Sequence, residues 1–254
     1  MKIRPGVELA GLTDVGCQRE NNEDSYSYWE PADESDFVAL GRLVIVADGM
    51  GGHEGGQVAS HMAVKTFAET YATSAETDPQ KRLLSALDEA HRRIQRQARD
   101  DSRLSSMGTT CTAAAVVNDR LYFVHVGDSR LYLLREGKLR SLTRDHTLIA
   151  RLLENGLIQP DQMHDHPQKH VLTSALGVPD SDNLDVDFSR EPLPLKKGDV
   201  LMICTDGLWG QMDSGEIQQA LVSQSPDGAC RALIQLAKDR GGPDNITLQV
   251  LRIG

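Results

Sequence analysis

The four cysteines, Cys17, Cys111, Cys204 and Cys230, include no Cys-x-x-Cys pair. Cys111 and Cys204 lie inside apolar runs, where a free thiol packs as a small hydrophobe, and a reducing compartment fits this usage. No run approaches the ~20 apolar residues that cross a bilayer. The start of the chain, MKIRPGVELAGL, lacks the apolar stretch of a signal peptide. These absences lead to the expectation of a cytoplasmic protein with no membrane anchor. An excess of positive charge is missing too: 27 Lys and Arg against 37 Asp and Glu leave a net charge of −10. That balance argues against non-specific binding to nucleic acid or to anionic membranes. The glycine-rich string GMGGHEGG lacks the Lys-Ser/Thr ending of a nucleotide-binding loop. Internal repeats, low-complexity linkers and composition breaks are also lacking, so one domain over residues 1–254 is expected.

What is present is enough apolar residue, 39% of 254, to bury a core. A strand is expected at 7–15, then a polar loop, GCQRENNEDSY, and an exposed loop, WEPADESD. Val44 to Ala47 reads as a buried strand, and the glycines after it as irregular backbone. Val58, Met62, Ala63, Phe67 and Tyr71 give a helical face over Gln57–Tyr71. Asp78 and Pro79 open a second helix, whose basic side, Lys81, Arg82, Arg92, Arg93 and Arg96, is expected to be solvated. Residues 109–143 form short runs broken at Asn118-Asp119, Gly127-Asp128 and Glu136-Gly137, the signals of an antiparallel meander. A short helix follows in DHTLIARLLENG, then a polar protruding element, IQPDQMHDHPQKH. An edge strand is expected within 184–195 and a strand at Val200–Cys204. Asp213 and Glu216 have capping-box spacing, Ser225-Pro226 opens a last helix, and ITLQVLRI is the final strand. Blocks of strands separated by paired helices exclude a strictly alternating parallel sheet and predict an α+β protein.

The most informative pattern is a repeated one. An apolar run ends in Asp48-Gly49, and another in Asp206-Gly207. A third acid, Asp244, stands just before the final strand, while Glu23 and Asp24 sit in RENNEDS. Hard divalent cations such as Mg²⁺ and Mn²⁺ prefer carboxylate, carbonyl and water oxygens and need neither His nor Cys. If these acids cluster, their mutual repulsion demands a cation. Two cations about 3.5–4 Å apart would activate a water and clamp a phosphate.

Seven strings occur in order: RENNEDS (19–25), VADGMGGH (46–53), VGDSR (126–130), TRDH (143–146), SALG (174–177), CTDGLWG (204–210) and GPDNIT (242–247). Together they resemble the metal-dependent, type-2C serine/threonine protein phosphatases in their short bacterial form, from about Leu9 to Val250. The resemblance implies two antiparallel sheets packed as a sandwich, helix pairs outside, and a metal site at one end. It implies two core Mn²⁺ or Mg²⁺ ions. Asp48 bridges them, the Gly49 carbonyl and the Glu23–Asp24 pair serve one, and Asp206 and Asp244 serve the other. A weaker third ion is implied at Asp128, shared with Asp206, and Arg19 is implied to grip the substrate phosphate. The implied reaction is attack on phosphorus by a water bridging the metals, with no phosphoenzyme. His53 is the candidate general acid, although animal members carry their histidine where this chain has Met50. Bacterial members often carry Arg where this chain has Ser174, and the segment from about 145 to 170 corresponds to a flap that influences substrate choice.

The expected function is therefore hydrolysis of phosphoserine and phosphothreonine in proteins, opposing a bacterial Ser/Thr kinase, by a monomer regulated from outside. The alternative class is a catalytically silent phosphoprotein-binding module, which would be expected to lack one or more metal acids. A further alternative keeps the chemistry but acts on small phosphate esters. Zinc at His164, His166 and His170 fits no standard structural spacing. A triad of His125, Asp128 and Ser129 is disfavoured because all three lie within five residues on a tight turn.

Overall fold

The computed structural model describes residues 4–51, 55–159, 162, 166–178 and 184–254. Its strands are β1 (Val7–Asp14), β2 (Asp24–Trp29), β3 (Arg42–Met50), β4 (Gly108–Thr109), β5 (Cys111–Val117), β6 (Arg120–Val126), β7 (Arg130–Arg135), β8 (Lys138–Ser141), β9 (Asp187–Phe188), β10 (Leu193–Pro194), β11 (Val200–Cys204) and β12 (Ile246–Ile253). Its helices are α1 (Glu34–Leu40), α2 (Gly55–Thr73), α3 (Pro79–Asp100), α4 (Leu148–Glu154), α5 (Asp206–Trp209), α6 (Ser214–Ser223) and α7 (Pro226–Asp239).

Two antiparallel sheets form, with strand orders β1-β12-β11-β7-β8 and β10-β6-β5-β3-β2. Side-chain alternation along each strand sorts the residues into layers. On β3, Leu43, Ile45 and Ala47 pack under α2 and α3 with Phe67, Leu87 and Ile94, while Val44 and Val46 face the other sheet. On β11, Val200, Met202 and Cys204 pack under α6 and α7 with Ile217 and Leu233, while Leu201 and Ile203 point inward to meet Val44 and Val46. The result is a helix–sheet–sheet–helix sandwich, the expected α+β class. A buried amide stitches the sheets: Gln249 Nε2 on β12 donates to the backbone oxygens of Ile45, at 2.8 Å, and Ser27, at 3.1 Å.

Local signals place the helix starts. The Asp78 carboxylate accepts from the Gln80 and Lys81 N–H groups, with Pro79 in the first turn. Asp213 and Glu216 form a reciprocal capping box, and Ser225 caps α7.

Several expectations need correction. The segment WEPADESD is not all loop, because Asp33 caps a short helix, α1. Strand β3 runs on through Asp48 and Gly49 to Met50, where β4 supplies pairing partners in Thr109 and Gly108. Arg82 is not solvated: only 8% exposed, it donates to the backbone oxygens of Tyr71 and Glu76, which caps the end of α2. The meander also breaks at Gly127-Asp128. Strand β6 pairs with β5, but β7 pairs with β11 and β8 in the other sheet, so this turn is a crossover between sheets.

The topology gathers the acids. Antiparallel neighbours put the end of β3 beside the start of β2, with Asp24 directly opposite Asp48. The end of β11 lies beside the start of β12, with Cys204 opposite Leu248. Asp206 and Asp244 therefore flank the same end of the sandwich, and the 127–129 crossover bridges to it.

Candidate active site

The backbone at this end is tightly built. Asp48 N–H donates to Thr110 Oγ1 at 2.9 Å, and its carbonyl accepts from Thr110 N–H and Thr109 Oγ1. Gly49 N–H donates to the Glu23 carbonyl at 3.2 Å. A Cβ at Gly49 would stand 2.1 Å from the Gly56 carbonyl oxygen and 2.6 Å from that of Glu23, so no side chain fits there. The Glu23 carboxylate lies against the start of α2, where a Cβ on Gly56 would be 2.4 Å from its Oε2. Asp24 is buried, and its Oδ2 accepts from Thr205 Oγ1 at 2.9 Å. Asp206 follows Thr205 directly as the first residue of α5. Asp244 pairs with Arg19 at 2.8 Å through its Oδ2.

Electrostatics sets these acids apart. Burial raises the Asp24 carboxyl to about 7, and the charges of Asp206 and Asp244 push the same way against two threonine hydrogen bonds. Asp48 is held well above the ordinary carboxylate range by burial and then by Asp24, Asp206, Asp128 and Asp244. Asp128 is raised likewise, by burial and then by Asp206 and Asp145. Glu23 is raised by burial, opposed by Arg19.

Asp24 Oδ1 is buried with no hydrogen-bond partner, a costly state for a carboxylate oxygen. Among the described residues no three acid, histidine or cysteine side chains are gathered closely enough to hold an ion as they stand. Basic side chains lean on two of the acids: Arg19 on Asp244, and His170, whose Nδ1 lies 3.5 Å from Asp206 Oδ2. An orphaned oxygen, raised carboxyls and an all-oxygen donor set fit hard divalent cations.

The structure thus brings Glu23, Asp24, Asp48, Gly49, Asp128, Asp206, Asp244 and Arg19 to one end. His53 and His164 lie outside the described residues. The other flap histidines diverge, His166 accepting from Gln168 N–H and His170 meeting Asp206, so they share no centre. His125 is hydrogen-bonded to Thr112 and the Arg144 carbonyl, while Ser129 bonds Thr110, so no triad forms. Ser174 is buried, and its hydroxyl bonds the backbone N–H and carbonyl of Asp185.

Sequence reasoning missed the supports. Asn245 donates through Nδ2 to the carbonyls of Val15 and Asn21 and accepts from Glu23 N–H, tying three segments beneath the acids. Its adjacency to Asp244 was the available signal.

The protein phosphatase 2C family model matches residues 18–229. The chain belongs to the protein phosphatase 2C family. It is 36% identical over 248 residues to the serine/threonine protein phosphatase PstP of Mycobacterium tuberculosis, covering 96% of this chain and 44% of PstP. The chain therefore spans under half the length of that relative. Protein phosphatase PhpP of Streptococcus pneumoniae is 33% identical over 250 residues, covering 96% of this chain and 97% of PhpP. Among solved structures, the serine/threonine phosphatase of S. agalactiae superposes with a TM-score of 0.88 at 32% identity, covering 98% of this chain and 100% of the other. The catalytic domain of PstP in complex with two manganese ions superposes with a TM-score of 0.83 at 32% identity, covering 97% and 98%. The family's sandwich is the fold described above, and among the described residues no helix is long and apolar enough to cross a membrane.

Proposed function

We propose that this protein phosphatase 2C member hydrolyses phosphoserine and phosphothreonine in proteins, with one catalytic domain across residues 1–254. The observation that carries this is the set of clustered carboxylates raised by burial and by one another's charge, with buried Asp24 Oδ1 left unpartnered. Bound Mn²⁺ or Mg²⁺ supplies Lewis-acid activation of water and neutralises charge on the phosphoryl group.

The chain's own residues do the rest. Asp48 would serve both ions, Glu23, Asp24 and the Gly49 carbonyl one of them, and Asp206 and Asp244 the other. Asp128 and Asp206 would hold a weaker third. Arg19, half-exposed beside Asp244, presents a planar donor fork suited to two phosphate oxygens. His53 is the proposed proton donor to the leaving serine or threonine oxygen. The substrates are phosphorylated proteins, and the opposing enzyme is a Ser/Thr kinase. We place the protein in the cytoplasm, as a monomer.

Phosphate release from a phosphothreonine peptide tests this reading, with Mn²⁺, with EDTA, and in Asp206→Asn. Release that needs Mn²⁺ and is lost in the variant is expected. Release unaffected by EDTA, or full activity in Asp206→Asn, would overturn the ligand assignment. No release from a folded protein that binds Mn²⁺ would favour a silent binding module.

A further inference from the structure

The crossover that carries Asp128 is fastened from outside on every side. The Gly127 N–H donates to His146 Nδ1 at 3.2 Å, and the Gly127 carbonyl accepts from His146 N–H at 2.7 Å. Ser129 Oγ shares a hydrogen bond with Thr110 at 2.8 Å. Trp209 Nε1 donates to the Asp128 backbone oxygen at 2.9 Å. The Arg130 guanidinium lies over the same indole, its central carbon 3.4 Å from the ring centre. Its Nε and Nη2 bond both oxygens of Asp145 at 2.9 and 2.7 Å, and Nη1 reaches the Tyr132 hydroxyl at 3.1 Å.

Trp209 closes the short helix α5, and Asp206 opens it. The indole therefore spans two acid-bearing segments from different strands. Like charge drives Asp128 and Asp206 apart, and the pairing of β7 with β11 ends at Arg130 opposite Cys204, so both acids lie two residues beyond its last pair. Plain packing would need the indole ring alone. Here the N–H reaches the carbonyl of the acid itself, and the ring is clamped by an arginine whose fork is saturated by Asp145.

We propose that Trp209 and Arg130 are positioning residues that hold Asp128 at a fixed distance from Asp206, and so set the affinity of the weaker cation these two acids share. This rests on the proposed sharing of that cation. Arg130, whose charge offsets the rise of the Asp128 carboxyl only in part, has its fork taken by Asp145. It acts by locking the indole, and with it the Asp128 backbone. The TRDH string, through Asp145 and His146, thereby ties the base of the flap to the same cation.

The test is a Mn²⁺ binding isotherm, by calorimetry with no substrate present, for the intact chain and for Trp209→Phe, Arg130→Lys and Asp128→Asn. Trp209→Phe keeps a smaller aromatic ring for Arg130 and deletes the N–H. Arg130→Lys keeps the charge and loses the fork. Both are expected to weaken the weakest Mn²⁺ step by about 10–100-fold, the usual scale for groups that orient a ligand, and to leave the tighter steps and the thermal midpoint in EDTA nearly unchanged. Asp128→Asn should remove the weak step. If Asp128→Asn removes it while the other two variants match the wild type, the positioning role is overturned and the cation assignment stands. If Asp128→Asn matches the wild type, the cation assignment itself fails, and the proposal with it. Equal weakening of every step together with a lower midpoint would show a general structural role and overturn the proposal.

Discussion

Strand β11 has an aspartate beyond each of its ends, and the fold treats the two oppositely. Asp199, before Val200, is gripped by Arg135, Nε to Oδ1 at 2.9 Å and Nη2 to Oδ2 at 2.5 Å, and accepts from Lys196 N–H at 2.7 Å. Burial pushes its carboxyl up, but the Arg135 and Lys196 hydrogen bonds and the Arg135 charge outweigh that, and it ends below the ordinary value. Beyond the other end Asp206 joins Asp24, Asp48 and Asp128, where burial and like charge win and the neighbours' carboxyls rise. The same strand thus shows a fold able to supply an arginine for a buried acid and a site where too few are supplied. That contrast separates an acid used for stability from acids used to hold something.

Removing one site acid tests the contrast most severely. Asp48→Asn is expected to cut Mn²⁺-dependent phosphate release by about 100-fold or more, since the proposed role of Asp48 is to hold the ions that stabilise transition-state charge. In EDTA the same variant should melt higher, by about 2–4 °C for each ~1 kcal/mol of repulsion relieved. A lower midpoint in EDTA would show that Asp48 is a structural acid like Asp199.

The opposite end should respond in reverse. Arg135→Ala strands a buried carboxylate, as Asp199 is only 2% exposed. Loss of one partner of a fully buried pair costs about 3–5 kcal/mol. Arg135 stands at the rim, 21% exposed, so about 2 kcal/mol is expected, a fall of about 4–8 °C in midpoint. Mn²⁺-dependent turnover of the folded variant should persist. Loss of Mn²⁺ binding there would break the division between the two ends.

The smallest effect is in pH, and it has opposite signs at the two ends. Asp24 is raised from 3.8 to about 7 in the folded protein. Its contribution to metal-free stability is full below 3.8 and lost as pH rises through about 7. Asp199 is lowered, so its contribution is present above 3.8 and lost as pH falls below that value. Thermal midpoints in EDTA across pH should therefore show a loss toward neutrality in the wild type that flattens in Asp24→Asn and persists in Asp199→Asn. Equal slopes in all three proteins would remove the electrostatic basis of the comparison.

What was legible in the sequence was local. Asp78 with Pro79, Asp213 with Glu216, and Ser225 with Pro226 announce their helices because a cap is a bond between residues two or three apart. The site acids were legible because each sits at a strand end beside a glycine or a turn. Arg82 was not, since helical period puts it on the polar side and its carbonyl partners on Tyr71 and Glu76 come within reach only when α2 and α3 pack. Gly127-Asp128 was not, because a hairpin and a sheet crossover use the same turn chemistry. Which strand β7 pairs with is decided by β11, some 70 residues on.

The sequence by itself determined most strands, three capped helices, the family and the candidate oxygen ligands, carried by periodicity, short-range bonds and motif order. Only the tertiary structure decided which acids receive an arginine and which face one another. It also decided that Asn245 and Trp209 fasten the site from behind. Those outcomes depend on burial and on charges from segments more than 200 residues apart, as in Asp24 against Asp244, and a carboxylate's environment exists only once those segments have met.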